Sequence, residues 1–294
     1  MAGHVLVGAD GSESSLEAVA VAAREARQRG LGLRIVHAFI WPKMRAAGLA
    51  AAAEALRGQA DTLLAAAVEH ARAAEPDLGD VEGEVATGEP LTVLAVRSAD
   101  ADLVVVGSRG LGAFTGLMIG SVAVYLAAHA ECPVLVVRGR PDADGLVAVA
   151  VDSSGDARAA VDAAFGEAER RGTGLLALHV WNTWSAEGPD HRPGALAPLV
   201  SNISELRKQA GQTLTDALAP GLIAHPHISV ERRLLEGRVR PTLIEASKEA
   251  RMIVTGARGR GGFKGLIMGS VSQALLLHAH CPVLVVRGGA EHHA

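Results

Sequence analysis

Short aliphatic runs alternate along this chain with longer stretches in which apolar residues recur every three to four positions. The runs suit strands buried on both faces, and the periodic stretches suit helices that cover them. Residues 4–8, His-Val-Leu-Val-Gly, read as a first strand closed by the turn Ala9-Asp10-Gly11-Ser12. Ser14 and Glu17 have capping-box spacing, and Leu16, Val19, Ala20 and Ala23 carry a helical period on to Gly30, a good stop. A second strand is expected over 33–39. An Ala-rich helix follows over about 44–74, interrupted by Gly58 and ended near Pro76, and then an edge strand over 81–85, where apolar and polar residues alternate. A short helix over about 90–99, a strand over 102–106, a helix over about 120–130 and a last strand over 133–138 complete the series. Strands joined through helices must lie largely parallel, so the pattern predicts an α/β fold.

The series then repeats. Gly139-Arg-Pro-Asp-Ala-Asp-Gly145 is polar and rich in breakers, and the pattern restarts at 146–151 with the turn Asp152-Ser-Ser-Gly155. Asp10 and Asp152, like His37 and His179, are 142 positions apart, whereas Gly107 and Gly256, Gly120 and Gly269, and Cys132 and Cys281 are 149 apart. The second copy therefore carries extra residues, placed most simply between Trp181 and Pro198. Residues 107–138 and 256–287 agree at 20 of 32 positions, which identifies a tandem duplication. The expected domains are 1–139 and 146–290, with 140–145 as the linker.

The best-kept stretch holds the candidate chemistry. After the strand ending at Val106 come Gly107-Ser-Arg-Gly110, nine residues, and Gly120-Ser121 at a helix start; Gly256-Ala-Arg-Gly259, nine residues, and Gly269-Ser270 repeat it. Glycines between a buried strand and a helix let backbone N–H groups approach an anion, and the helix N-terminus adds partial positive charge. The plainer reading gives these glycines to a tight turn and to close helix–sheet packing, and makes Ser121 and Ser270 N-caps. Arg109 and Arg258 could meet a phosphate or simply face water. The second loop is the more basic, with Arg260 and Lys264 where the first has Leu111 and Thr115. Asp10 and Asp152 end the first strand of each copy, where an open parallel sheet binds ligands, and could equally be turn-forming aspartates. His37 and His179 read as satisfied core histidines. His129, His278 and His280 sit near helix C-termini, and Cys132 and Cys281 read as buried filler.

Composition narrows the classes. Of 294 residues 49% are hydrophobic but 3% aromatic, so aliphatic and Ala residues must fill the cores. A net charge of −4 offers no basic field for nucleic acid or an anionic membrane. Two cysteines make neither a disulfide framework nor a metal set, which suits a reducing cytoplasm. No leader is read in the first ten residues, and the closing Glu291-His-His-Ala reads as a frayed tail.

The turn Val7-Gly-Ala-Asp-Gly-Ser12, the spacing G-x-x-G-x9-G-S and the ending His-Ala-x-Cys-Pro-Val-Leu-Val-Val resemble the universal stress protein family, as two tandem domains of its ATP-binding branch. The resemblance implies a Rossmann-like, adenine nucleotide alpha hydrolase-like fold. Each domain would be an open five-stranded parallel sheet of order 3-2-1-4-5 with helices on both faces. It implies ATP, with Mg2+, as ligand. Asp10 and Ala38 would lie at the adenine, and Val106, Gly107, Gly110, Gly120, Ser121 and Val122 at ribose and phosphates, with Arg109 added from its place in the loop. The matching second-copy positions are Asp152, Val180, Thr255, Gly256, Arg258, Gly259, Gly269, Ser270 and Val271. It implies pairing of the fifth strands, 133–138 with 282–287, as an intrachain pseudo-dimer, and leaves room for a homodimer of chains. Asp102 against Arg251 at the opening of the fourth strand, and Ser121-Val-Ala-Val against Ser270-Val-Ser-Gln, distinguish the copies.

The expected function is that of a non-catalytic or very weakly hydrolysing ATP-dependent stress or signalling module, with the tighter site in the second copy. A slow ATPase or nucleotidyl-transfer enzyme is the alternative, but the loop lacks the Gly-Lys-Ser/Thr ending of a P-loop and the chain lacks a His-x-Gly-His motif. An interaction protein without nucleotide, its glycines serving packing, is the third reading.

Overall fold

The computed structural model describes residues 3–40, 49–110, 119–152, 154–182, 199–259 and 268–288. Its contacts divide the chain into two units, 1–141 with 276–278 and 282–285, and 142–275 with 279–281 and 286–294. The expected loop insertion over 183–198, the start of the second helix at 44–48 and the tail at 291–294 lie outside the described residues.

In the first unit β1 (His4–Gly8), α1 (Glu13–Arg29), β2 (Gly32–Phe39), α2 (Leu49–Ala74), β3 (Val81–Thr87), α3 (Pro90–Arg97), β4 (Leu103–Gly107), α4 (Ser121–His129) and β5 (Val134–Val137) follow in order. The strands lie β3-β2-β1-β4-β5, each neighbour parallel, with Val7 beside both Ile35 and Val105. Val5, Leu6 and Val7, and Leu103 to Val106, are buried, while β3 shows the exposed pattern of an edge. α1 packs on the sheet through Ala18, Val19, Ala22, Ala23 and Ala26, small side chains that let the helix sit close. Ser12, not Ser14, caps this helix, accepting from Ser15 N at 3.2 Å. Asp10 holds Ser12 in place for that task, and Gly30 closes the helix in the left-handed conformation at φ 65°. Gly58 does not interrupt α2, because its glycine cost of about 1 kcal/mol falls within a long Ala-rich segment.

The segment 282–285 groups with the first unit because β10 (Val283–Val286) runs antiparallel to β5, Val283 opposite Val136 and Val285 opposite Val134. Both strands read Val-Leu-Val-Val and are buried throughout, so neither carries the charge that would blunt an open edge.

The second unit repeats the scaffold with β6 (Leu146–Ala150), α5 (Gly155–Arg170), β7 (Leu175–Trp181), α6 (Leu199–Ala224), β8 (Val230–Glu236), α7 (Val239–Ala246), β9 (Ala250–Gly256) and α8 (Ser270–His278). Its strands lie β8-β7-β6-β9, again parallel. The interior differs by compensation. Phe165 is fully buried, and a Cβ added at Gly221 of α6 would overlap its ring. The matching positions of the first unit, Ala23 and Ala71, are both alanines and fully buried.

Two stability predictions follow from these interiors. Gly221→Ala should lower stability by about 1–3 kcal/mol through overpacking, and adding Phe165→Ala, which imports the first unit's pair, should relieve the overlap; urea unfolding of both variants checks this. His4 Nε2 is buried without a hydrogen-bond partner among the described residues, and burial, then the Arg34 charge, holds its pKa below the ordinary 6.5. The unfolded chain takes the proton first, so stability should fall as pH drops below that ordinary value towards the folded one. His4→Leu, which copies Leu146, should therefore raise the melting temperature more at pH 5 than at pH 8.

Candidate functional site

The site begins where β1 ends. Asp10 Oδ1 accepts from Ser12 N at 3.0 Å and Ser12 Oγ at 2.6 Å, and Asp152 Oδ1 accepts from Ser154 N at 2.8 Å. The turn-forming reading of both aspartates holds, yet it accounts for one carboxylate oxygen. The other faces the glycine loop: a Cβ at Gly110 would strike Asp10 Oδ2, and one at Gly259 would lie 2.8 Å from Asp152 Oδ2. The two motifs thus meet, and the carboxylate occupies the space a loop side chain would need.

The glycines divide by role. At Gly107 a Cβ would come within 2.5 Å of Ser14 O, and at Gly256 within 2.8 Å of the Asp156 Cβ, so both serve close packing of the strand end against a helix start. Gly120 and Gly269 are different. The nearest atoms to an added Cβ there lie 3.6 and 3.4 Å away, and φ is −78° and −75°, open to any residue. Among the described residues, neither packing nor backbone geometry demands glycine at these two places. They are the N-caps of α4 and α8, and having no side chain they put no cap in front of the first-turn N–H groups. Ser121 and Ser270 are accordingly the first helical residues rather than the caps, and both are exposed.

Short backbone bonds hold the loop ends together, Gly120 N to Ser108 O at 2.7 Å and Gly269 N to Ala257 O at 2.8 Å. A side chain from the start of the helix after each copy's first strand, α1 or α5, steadies the backbone of the loop arginine. Ser14 Oγ accepts from Arg109 N at 3.4 Å, and Asp156 Oδ2 accepts from Arg258 N at 2.9 Å. Asp156 also takes Gly288 N at 3.2 Å and lies 3.6 Å from Arg258 Nε, so a carboxylate offsets the second loop's arginine where the first copy has a hydroxyl. Leu111, Thr115, Arg260 and Lys264, on which the expected difference in basicity rests, lie outside the described residues.

In the second unit these groups line a cavity of about 460 Å³, within the size range of small-molecule sites. All nine expected second-copy residues line it: Asp152, Val180, Thr255, Gly256, Arg258, Gly259, Gly269, Ser270 and Val271. Sequence reasoning missed Val239 and Leu243 of α7, Ser154, Met268, Ser272 and His179. Leu243 is apolar on a helix after an edge strand, a pattern that signals core rather than cavity. Ser272 donates to Ala257 O and Gly269 O at 2.9 Å each, tying α8 to the loop, where the first copy has Ala123. His179 is not a core residue but half-exposed, its Nδ1 2.8 Å from Val151 O; His37 stands alike, 2.8 Å from Ala9 O. In the first unit the contacts gather Asp10, Gly107, Arg109, Gly110 and Gly120, with Val106, Ser121 and Val122 adjoining in sequence and Ala38 next to His37 on β2. Burial pushes the Cys132 thiol up to about 12, and Cys281 is buried, so neither is a ready thiolate. His129 Nδ1 lies 2.9 Å from Tyr125 O and its ring stacks on Tyr125, a role in closing α4. No helix among the described residues is long and apolar enough to cross a membrane.

Comparison with known proteins fits this geometry. The model of the universal stress protein family matches residues 1–138 and again 146–287. A universal stress protein of Mycobacterium tuberculosis is 33% identical over 96% of this chain and 94% of its own. The crystal structure of a universal stress protein from Archaeoglobus fulgidus has the same fold, with a TM-score of 0.68 and 20% identity over 98% of this chain and 97% of that one. A solved universal stress protein in complex with cAMP matches 47% of this chain and 97% of its own, at 32% identity and a TM-score of 0.37; the cyclic nucleotide is that protein's ligand. Two matches to one family model, in register with the duplicated strand-end turn and glycine loop, mean that this chain belongs to the universal stress protein family as a tandem pair of its domains.

Proposed function

We propose that this chain is an ATP-binding stress or signalling module that holds the nucleotide and turns it over slowly or not at all. The observation that carries the reading is the pair Gly120 and Gly269, glycines that neither backbone geometry nor packing among the described residues requires, standing before uncapped helix N-termini. Such a place takes phosphate oxygens on backbone N–H groups. Gly110 and Gly259, with Arg109 and Arg258, border the same space, and Ser121 and Ser270 add hydroxyls. Asp10 and Asp152, beside Ala38 and Val180, would meet the nucleoside. Mg2+ would come with the triphosphate. Holding rather than splitting fits loops that lack the Gly-Lys-Ser/Thr ending of a P-loop, and strand-end carboxylates already bonded to Ser12 and Ser154. Domain limits of 1–139 and 146–290, an intrachain pseudo-dimer through the fifth strands and a reducing, cytoplasmic setting for two free thiols complete the proposal.

The copies differ in how firmly the loop is held, by a carboxylate at 2.9 Å in one and a hydroxyl at 3.4 Å in the other. The better preorganised second site should bind more tightly. Protein purified and denatured should release adenine nucleotide, and titration should give two affinities. Gly269→Glu should abolish the tighter phase and Gly120→Glu the weaker one, each by at least ~100-fold, because a like charge against phosphate costs several kcal/mol. Gly120→Ala with Gly269→Ala should leave the melting temperature of the nucleotide-free protein unchanged, as a Cβ has room. Full binding by the double glutamate variant would refute the site, and sustained phosphate release lost with Asp10→Ala and Asp152→Ala would favour the enzyme.

A further inference from the structure

His179 was expected to be a satisfied core residue and instead lines the cavity, with a fixed hydrogen-bonding state. Its Nδ1 lies 2.8 Å from the Val151 carbonyl. A carbonyl oxygen has no proton to offer, so Nδ1 carries the hydrogen, and in the neutral ring Nε2 is then an acceptor. The first copy repeats the arrangement at the same distance, His37 Nδ1 to Ala9 O. Two copies whose middle elements have diverged both keep an imidazole held this way at the carboxyl end of the second strand.

The sheet order says which part of a ligand this acceptor would meet. His179 is on β7, Asp152 follows β6 and the glycine loop follows β9, in the order β7-β6-β9. Neighbouring strands are about 4.8 Å apart, so roughly 10 Å separates the histidine from the glycine loop. The cavity that His179 lines has aliphatic walls, among them Leu178 and Val180 on its own strand, Val151 after β6 and Leu243 on α7, together with the Asp152 carboxylate. An oriented imidazole acceptor in an aliphatic-walled cavity, about 10 Å from a phosphate-binding end, suits a nucleobase that presents an N–H donor.

We propose that His179, and His37 in the first copy, are specificity-determining residues whose Nε2 accepts a hydrogen bond from the exocyclic amino group of the base, selecting amino- over oxo-purine nucleotides. An oxo group would set acceptor against acceptor, and a bare C–H would leave Nε2 unanswered. The inference rests on the nucleotide reading above.

The test titrates ATP, inosine triphosphate and purine riboside triphosphate, which carry an amino group, an oxo group and hydrogen at the same ring position. Wild-type protein should bind ATP most tightly, the hydrogen analogue less and the oxo analogue least, with roughly tenfold or more between first and last. In His37→Asn with His179→Asn, the amide nitrogen can replace Nδ1 as donor to the Ala9 and Val151 carbonyls, and no atom replaces Nε2. The ATP-to-inosine ratio should then fall towards one with the melting temperature kept. A merely structural histidine would lower all three affinities together, and an unchanged ratio in the variant would overturn the proposal. The wild-type series stands even should the variant fail to fold: equal affinity for ATP and the hydrogen analogue also overturns it. Failure of wild-type protein to bind any of the three would bring down the nucleotide reading and this inference with it, whereas binding without discrimination removes the histidine's role alone.

Discussion

A carboxylate oxygen at the end of the first strand lies where the side chain of a loop glycine would be, and most of the site is arranged around that contact. Asp10 Oδ2 stands against Gly110 and Asp152 Oδ2 against Gly259. The same residue's Oδ1 bonds the serine that caps the next helix. One aspartate therefore ends a strand, starts a helix and sets how near the loop from the fourth strand can come. Parallel pairing of β1 with β4, and of β6 with β9, brings the strand ends side by side so that the contact is possible at all.

Glycines that look alike in the loop do unlike things. Gly107 and Gly256 admit a helix start, Gly110 and Gly259 admit a carboxylate, and Gly120 and Gly269 meet no such group among the described residues. The packing reading and the ligand reading are both correct, each for different members of one motif. This division concentrates the functional argument on the glycines at the helix starts.

The duplicated scaffold shows how far a packed α/β layer can drift while the site geometry stays. Ala23 and Ala71 become Phe165 and Gly221, exchanging volume between facing helices. The ion pair of Arg27 with Glu75, at 2.7 Å, gives way to Glu169 beside the His225 imidazole, Oε2 to Nδ1 at 2.9 Å. Glu25 with Arg29, and Glu167 with Arg171, keep one pairing in both copies. Such exchanges preserve volume or charge balance rather than identity, and they account for the low agreement of the middle elements beside 20 matches in 32 around the loop.

Much of this was legible in the chain alone, because strand and helix periods, the breaker-rich segment 139–145 and the repeat offsets are local or arithmetic properties. Strand type and succession and the duplication came from that level, whereas the second-copy residues that line the cavity were expected in part, Val180, Thr255 and Val271 among them, only through the family resemblance. Choices among local competitors did not. Ser12 rather than Ser14 caps α1 because Asp10 reaches it, and Gly58 stays helical because its neighbours favour the helix. Nor could the sequence separate a glycine needed for packing from one left open, since that depends on what another strand or helix puts opposite its missing Cβ. His179 makes the same point. An imidazole inside an apolar strand reads as core, and only the Val151 carbonyl beside it and the cavity in front of it turn it into an oriented acceptor.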